Sequence, residues 1–427
     1  MERELKLNTK RTTFIGLAFF TILMLWQVYN YYAPLFLEDL LIAKFGGNPE
    51  EYAYIIGAIM ACDNLFGLFM LPIFGSLSDK TNTKYGKRMP FIFIGTILAA
   101  IIFPFIPVFY LNNSLVGVFI AMGLTLLVMN MYRNPAVALM PDITPKPLRS
   151  KANGIINLVG YLGAIFAGAL PMVLGEPDTA KHAAILPFIL TSVLMIMALV
   201  TLVLKIKENK IAQEVKEDME YGETLAETNE AISEDKKLSG KDKVDLYILI
   251  ISTFFWFFGF NAIESFGSLY ARNALVGGMS WGTVVIVLTI CSMISFIPAS
   301  MLASKIGRKN TVLTGLILIV VAALSCALFS KINIVFLLLI AVCGIGWAMI
   351  NCNSYPMVVE LADKNSIGKY TGYYYTSSML AQTITPVFVG LLFYFVESGY
   401  KILFPYAAIS MIVAAVIFIN VRIKSKK

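Results

Sequence analysis

Histidine is almost missing from this chain of 427 residues: the one copy is His182, beside Lys181 in a polar connection and read as an ordinary surface residue. There is no CxxC, no HExxH and no glycine-rich turn from strand to helix, so the common sequence routes to metal, thiol or phosphate chemistry are absent. No enzyme and no cofactor are expected. Cysteine is sparse as well, and Cys62, Cys291, Cys326, Cys343 and Cys352 all fall in apolar segments without metal-ligand spacing. They read as small buried hydrophobes, with no disulfide framework. Charge is the most informative shortage: 14% of residues are charged and 58% hydrophobic, whereas soluble domains run near one quarter charged. An ordinary soluble domain is excluded. The net charge of +7 does not indicate nucleic acid, because the basic residues occupy short loops between apolar runs and form no patch.

What the chain has in abundance is long apolar runs. The first, from Thr13 to about Leu37, follows the basic segment MERELKLNTKR; it is too long for a signal-peptide core and lacks a small-residue cleavage site, so it predicts a retained span. Further runs lie at approximately 52 to 77, 90 to 110, 114 to 139, 152 to 174 and 184 to 205. A second six follow at approximately 245 to 271, 281 to 303, 311 to 330, 333 to 359, 368 to 396 and 402 to 422. The expectation is an all-α protein with twelve transmembrane helices in a lipid bilayer. Counting Lys and Arg in alternate loops gives about 28 on the side of the N-terminus and about five on the other, which predicts both termini in the cytoplasm of a multi-pass cell-membrane protein. The remaining one is Arg133, inside the fourth span.

The second and third spans are joined by a basic loop, Gly75 to Pro90, GSLSDKTNTKYGKRMP. Asp79 ends one helix, Gly86 supplies a turn without a side chain, and Lys80, Lys87 and Arg88 lie where a cytoplasmic loop places cations. The loop resembles the signature G-x-x-x-D-(R/K)-x-G-(R/K)-(R/K) of the major facilitator superfamily, with Thr81 to Lys84 as extra residues before the second glycine. That longer version is similar to the sucrose/proton symporters and the glycoside-pentoside-hexuronide:cation symporters. The resemblance implies two six-helix pseudo-repeats around a central solute cavity, and transport by alternating access. The segment YRNPAVALMPDITPKPLRSKAN, from Tyr132 to Asn153, carries the other specific similarity. Both branches typically hold an acid in the fourth helix, and this chain has none between Leu115 and Leu139.

Lys207 to Lys243 is rich in Glu and Lys and poor in large apolar residues, as expected of a solvated, partly helical linker. It divides the chain into 1–206, a first six-helix bundle; 207–243, a charged cytoplasmic linker; and 244–427, a second bundle. The halves repeat weakly. A shift of 218 places Asp142 on Glu360, Lys151 on Lys369 and Gly154 on Gly372, while a shift of 221 places Gly86-Lys87-Arg88 on Gly307-Arg308-Lys309.

Membrane helices exclude ionised groups unless they are paired or wet, so the acids and bases within spans are the candidates for chemistry. Asp63 is about 15 residues from the cytoplasmic end of the second span, ~22 Å deep at ~1.5 Å per residue; Arg133 is roughly 13 Å deep by the same rise. Asp63, Glu264 and Arg133 are the candidate cation-coupling residues, with structural ion pairing, snorkelling and an interfacial position as the respective alternatives. Glu264 shares a helix face with Asn261, Ser265 and Ser268. Neutral polar residues recur at helical spacing on other spans: Gln27, Asn30 and Tyr31; Asn153, Asn157 and Tyr161; Trp347 and Asn351; Tyr375, Ser378 and Gln382. Together with Asn261 they are candidates to bind a polyhydroxylated solute, since amides and hydroxyls donate and accept without requiring a counter-charge. The alternative for each is hydrogen bonding between packed helices.

The resulting expectation is a monomeric secondary transporter moving a small polar solute, a sugar or glycoside, with a proton or sodium ion. Gly75, Asp79, Lys80, Gly86, Lys87 and Arg88 form its gating loop. The alternatives are an exporter of drug-like solutes, and a receptor or scaffold that signals through 207–243.

Overall fold

The computed structural model describes residues 5–177, 181–232, 239–362 and 366–422. Among these the regular structure is helical: α1 Thr9–Phe45, α2 Pro49–Lys80, α3 Met89–Ile102, α4 Phe105–Leu111, α5 Leu115–Asp142, α6 Arg149–Leu174, α7 Lys181–Lys205, α8 Glu208–Glu214, α9 Lys216–Ile232, α10 Gly240–Asn273, α11 Trp281–Ile306, α12 Arg308–Cys326, α13 Ile334–Leu361, α14 Ile367–Phe395 and α15 Leu403–Phe418. Among the described residues twelve stretches are long and apolar enough to cross a membrane; α3 and α4 together make one, and α8 and α9 contribute none. The protein is a multi-pass membrane protein, as expected.

Local chemistry sets the breaks. Pro104 separates α3 from α4, since a proline has no N–H to continue the ladder. Ser114 accepts from the Gly117 amide to open α5, and Asn333 does the same for Phe336 at α13. Ser239 and Asp242 form a reciprocal capping box that starts α10. α1 runs past its expected end near Leu37 to Phe45, and its 37 residues span roughly 55 Å, well beyond the ~30 Å of hydrocarbon.

The chain forms two compact units: Met1–Tyr29 with Leu65–Glu234, and Asn30–Asn64 with Asp235–Lys427. The divide therefore cuts through α1 and α2, and α8 and α9 belong to the first unit. In that unit α3 packs between α5 and α7, with Phe103 and Phe188 4.5 Å apart at their ring centres. In the second, α12 and α13 cross closely at Gly315 and Gly346; a Cβ on either would lie 2.7 Å or 2.6 Å from the other's carbonyl oxygen. Small residues of this kind let membrane helices approach backbone to backbone. Around that crossing Trp256, Leu316, Met357 and Phe418 form the buried core.

Candidate functional site

The loop between α2 and α3 is a closed electrostatic knot. Gly86 has φ +116°, in the region that favours glycine, and its amide bonds Thr83 O while its carbonyl accepts from Thr83 Oγ1. The extra residues Thr81 to Lys84 thus make the turn. Arg88 is buried; its Nε donates to Asp142 Oδ2 at 2.7 Å and its terminal nitrogens donate to Ser78 Oγ and Asp79 Oδ1. Lys87 Nζ lies 3.2 Å from Asp142. Burial alone would lower the pKa of Arg88, but Asp142 and then Asp79 outweigh it and raise it above the ordinary arginine value. Lys80 is exposed, and Gly75 is buried against the Asn134 amide.

A residue not singled out in the sequence completes the knot. Glu208, only 4% exposed, accepts from the backbone amides of Lys87 (2.9 Å), Arg88 (3.0 and 3.1 Å) and Met89 (2.9 Å). These are free amides at the α3 N-terminus, where helix geometry leaves donors unpaired and favours negative charge. A Cβ on Gly86 would collide with the Glu208 carboxylate. The segment 207–243 is therefore not a simple solvated linker: Glu208, Ile211 and Val215 are buried, because one of its acids serves as a cap from a distant part of the sequence. Residues 233–238 lie outside the described residues.

The second half echoes this arrangement. Gly307 also has positive φ, +86°, and Arg308 Nη2 lies 3.0 Å from Glu360 Oε1. Lys87–Asp142 and Arg308–Glu360 are the same pair at the two positions related by the repeat.

Among the intramembrane candidates, Asp63 falls within α2 but its side chain lies outside the described residues. Arg133 places its guanidinium 5.6 Å from the ring centre of Trp26, in cation–π range. Glu264 is exposed and makes no hydrogen bond or ion pair with the described residues. On the same helix face, Asn261 Nδ2 and Ser268 Oγ are buried without a hydrogen-bond partner. Phe260, one residue before Asn261, stacks on Trp347 with centroids 3.6 Å apart and planes 3° from parallel. The second unit thus holds an unsatisfied amide, Asn261, on the residue that follows one ring of a flat aromatic pair, and an unsatisfied hydroxyl, Ser268, two turns further along the same helix.

The other candidates differ in how committed they already are. Tyr31 OH is 3.2 Å from Ser280 Oγ, and Asn30 is buried. Asn157, Asn351 and Ser378 each donate to the backbone of their own helix, to Asn153 O, Trp347 O and Tyr375 O. Gln382 offers its backbone carbonyl to Asn64 Nδ2 at 3.3 Å. Gln27 and Tyr161 are half-buried, while Asn153 and Tyr375 are exposed. Gln27, Arg133, Asn153, Asn157 and Tyr161 belong to the first unit and the rest to the second.

A second missed cluster lies in the second unit. Glu38, 2% exposed, accepts from Asn273 Nδ2 (2.8 and 3.0 Å) and from Tyr400 OH (2.9 Å). Arg272 Nη1 lies 2.8 Å from Asp39 Oδ1 and 3.6 Å from Glu38 Oε1. Two carboxylates share one guanidinium. Reading the first span as ending near Leu37 put these acids beyond it; the continuation of α1 to Phe45 carries them into packed structure. Among the described residues no group of His, Cys, Asp and Glu has the arrangement of a metal site.

Comparison with known proteins agrees with the geometry. The sequence matches the Major Facilitator Superfamily over residues 15–386 and again over 282–426. The chain belongs to that superfamily: it is a transporter, not an enzyme. Similar solved structures include an inward-open xylose transporter XylE from E. coli (14% identity, covering 98% of this chain and 96% of that one, TM-score 0.68). A D-xylose-proton symporter matches with 14% identity, 98% coverage of each chain and TM-score 0.70. The nucleoside transporter NupG matches with 14% identity, 96% and 99% coverage and TM-score 0.67. No curated protein matches the sequence.

Proposed function

We propose that the protein is a secondary active transporter of a small neutral polar solute, a sugar or glycoside, in symport with a proton or sodium ion. The observation that carries this reading is the α10 face on which, among the described residues, Glu264 has no partner and Asn261 Nδ2 and Ser268 Oγ are unsatisfied, on the helix that also carries Phe260 of the Phe260–Trp347 pair. Buried donors without acceptors cost about 1–3 kcal/mol each, a cost removed when a rearrangement of the helix opens them to solute hydroxyls. An aromatic platform packs the apolar face of such a ring. Asn30, Tyr31, Asn351, Tyr375, Ser378 and Gln382 supply further polar contacts in the second unit, and Gln27, Asn153, Asn157 and Tyr161 are the solute-binding candidates of the first unit. Asp63, Glu264 and Arg133 are the coupling groups. The moving parts are the halves 1–206 and 244–427, with both termini in the cytoplasm, in a monomer resident in the cell membrane. The specific similarity of the α2–α3 loop to the glycoside and sucrose symporters supports the solute class, as do the xylose-transporting structural neighbours.

Counterflow in proteoliposomes with a panel of labelled sugars, with and without a pH or sodium gradient, tests it. Saturable sugar exchange that a gradient converts into accumulation is expected. Absence of flux for every sugar, together with flux of apolar cations, would turn the reading towards an exporter.

A further inference from the structure

In the first unit an open groove of about 320 Å³ runs between α1 and α7. Its walls are apolar, with Leu17 and Phe20 on α1 facing Leu194 and Ala198 on α7, and Thr13 and Thr201 mark one end. Both threonine hydroxyls donate to their own helices, to Thr9 O and Met197 O, so the groove offers no side-chain donor to a sugar.

Beyond that end the composition changes within one turn. Lys10 precedes Thr13 by three residues and Lys205 follows Thr201 by four, the spacings that stack side chains on one helix face. Both lysines are exposed, and neither makes a hydrogen bond or ion pair with the described residues. Of the described acids nearby, Glu208 caps α3, Glu214 lies 4.0 Å from Lys210, and Glu214 and Asp218 face Arg11; Glu2 and Glu4 lie outside the described residues. Lys207, by contrast, is turned onto Val203 O. Two lysines without a partner among the described residues thus follow, one helical turn on, from the threonine end of an apolar slot in a membrane-spanning unit.

We propose that the groove between α1 and α7 is a binding site for an anionic phospholipid, with an acyl chain in the slot and the phosphate between Lys10 and Lys205. The chemistry is matched along its length. Hydrocarbon meets Leu17, Phe20, Leu194 and Ala198; the two threonines lie at the depth where hydrocarbon ends; the lysines meet the headgroup. Basic residues at a membrane face attract anionic lipid at about one kcal/mol each, which corresponds to roughly a fivefold change in affinity per lysine.

Native mass spectrometry of the full-length protein, released from detergent doped with phosphatidylglycerol, phosphatidylcholine or glycerol phosphate, tests the site. One phosphatidylglycerol retained in preference to phosphatidylcholine is expected. Lys10→Gln with Lys205→Gln should weaken phosphatidylglycerol by roughly thirtyfold and leave phosphatidylcholine unchanged. These substitutions are at exposed positions, so loss of fold is not expected, and a monodisperse elution profile checks it. Leu194→Trp fills the slot and should displace phosphatidylglycerol with both lysines intact. Equal retention of the two lipids, or an unchanged preference in the double-lysine variant, would overturn the proposal. Glycerol phosphate competing as well as the lipid would overturn the part played by the groove and leave only a phosphate contact.

Discussion

Removing the carboxylate of Glu208 should loosen the whole α2–α3 loop although the residue lies some 120 positions away in sequence, and the size of the effect can be worked from its contacts. It receives three backbone N–H groups from Lys87, Arg88 and Met89. Losing a side-chain cap typically costs about 1 kcal/mol, and losing a negative charge at a partly buried helix N-terminus costs about 1 kcal/mol more. The third contribution is the amides of Arg88 and Met89, both buried residues; one left incompletely hydrated adds about 1 kcal/mol. Glu208→Ala should therefore cost about 3 kcal/mol. Glu208→Gln keeps the shape and one acceptor oxygen but loses the charge, so about half that cost is expected. Hydrogen exchange read at the amides of Lys87, Arg88 and Met89 is the direct assay. Their protection should fall in both variants while amides in α5 keep theirs. A Gly86 substitution sharpens the argument. Gly86→Ala is penalised by its positive φ and by collision with Glu208, and Glu208→Ala removes only the carboxylate part of that collision, leaving the Cβ of residue 208 at 2.7 Å. The double variant should therefore be more stable than the sum of the two single losses predicts. Simple additivity, or unchanged protection of the three amides in Glu208→Gln, would refute the cap.

Four further outcomes are expected. Asp63→Asn holds the side chain in a form equivalent to the protonated one, so gradient-driven accumulation in proteoliposomes should disappear while solute exchange survives; loss of both together would make Asp63 structural. Asp79→Ala removes one of the acids on Arg88 and should shift the population towards the inward-facing form, seen as altered accessibility of cysteines introduced on the two sides; unchanged accessibility would count against a gating part for the loop. In the Glu38 cluster, Arg272→Ala leaves two buried or half-buried carboxylates side by side and should cost about 3–5 kcal/mol, more than Glu38→Ala, which leaves Asp39 and Arg272 as a pair; equal thermal destabilisation would contradict the sharing of one guanidinium. Arg308 and Glu360 are 35% and 50% exposed, so a double-mutant cycle on them should give less than about 1 kcal/mol, and a larger coupling would mean the pair is shielded from water.

The spans and their order were legible because twenty-residue apolar runs have few alternatives in a chain with so little charge. The basic loop was legible for the same reason, as an island of cations between such runs. The repeat could be seen as Gly86-Lys87-Arg88 over Gly307-Arg308-Lys309 and Asp142 over Glu360, and the two ion pairs Lys87–Asp142 and Arg308–Glu360 give that faint similarity a physical content. Glu208 was not legible: in a segment crowded with acids nothing local distinguishes the one that caps a helix some 120 residues earlier. Glu38 was hidden by an assumption about length, since hydropathy ends where hydrocarbon ends while a helix can continue. The polar faces of the spans were readable as faces, but not as free or occupied groups. Ser378 and Asn351 bond within their own helices, whereas Asn261 Nδ2 and Ser268 Oγ have no partner among the described residues, and only tertiary packing decides between these.

The four tryptophans occupy four different surroundings. Trp256 is buried in the second unit's core, Trp281 lies against Gly267, Trp26 sits beneath the Arg133 guanidinium, and Trp347 is stacked on Phe260 next to Asn261. Replacing the first three with phenylalanine leaves a single indole at the face where a solute is expected, and its emission responds to whatever displaces water from that face or slides between the two rings. The molecule thus contains its own optical probe of occupancy, usable in unlabelled protein and with unlabelled sugars, before any gradient or vesicle is assembled.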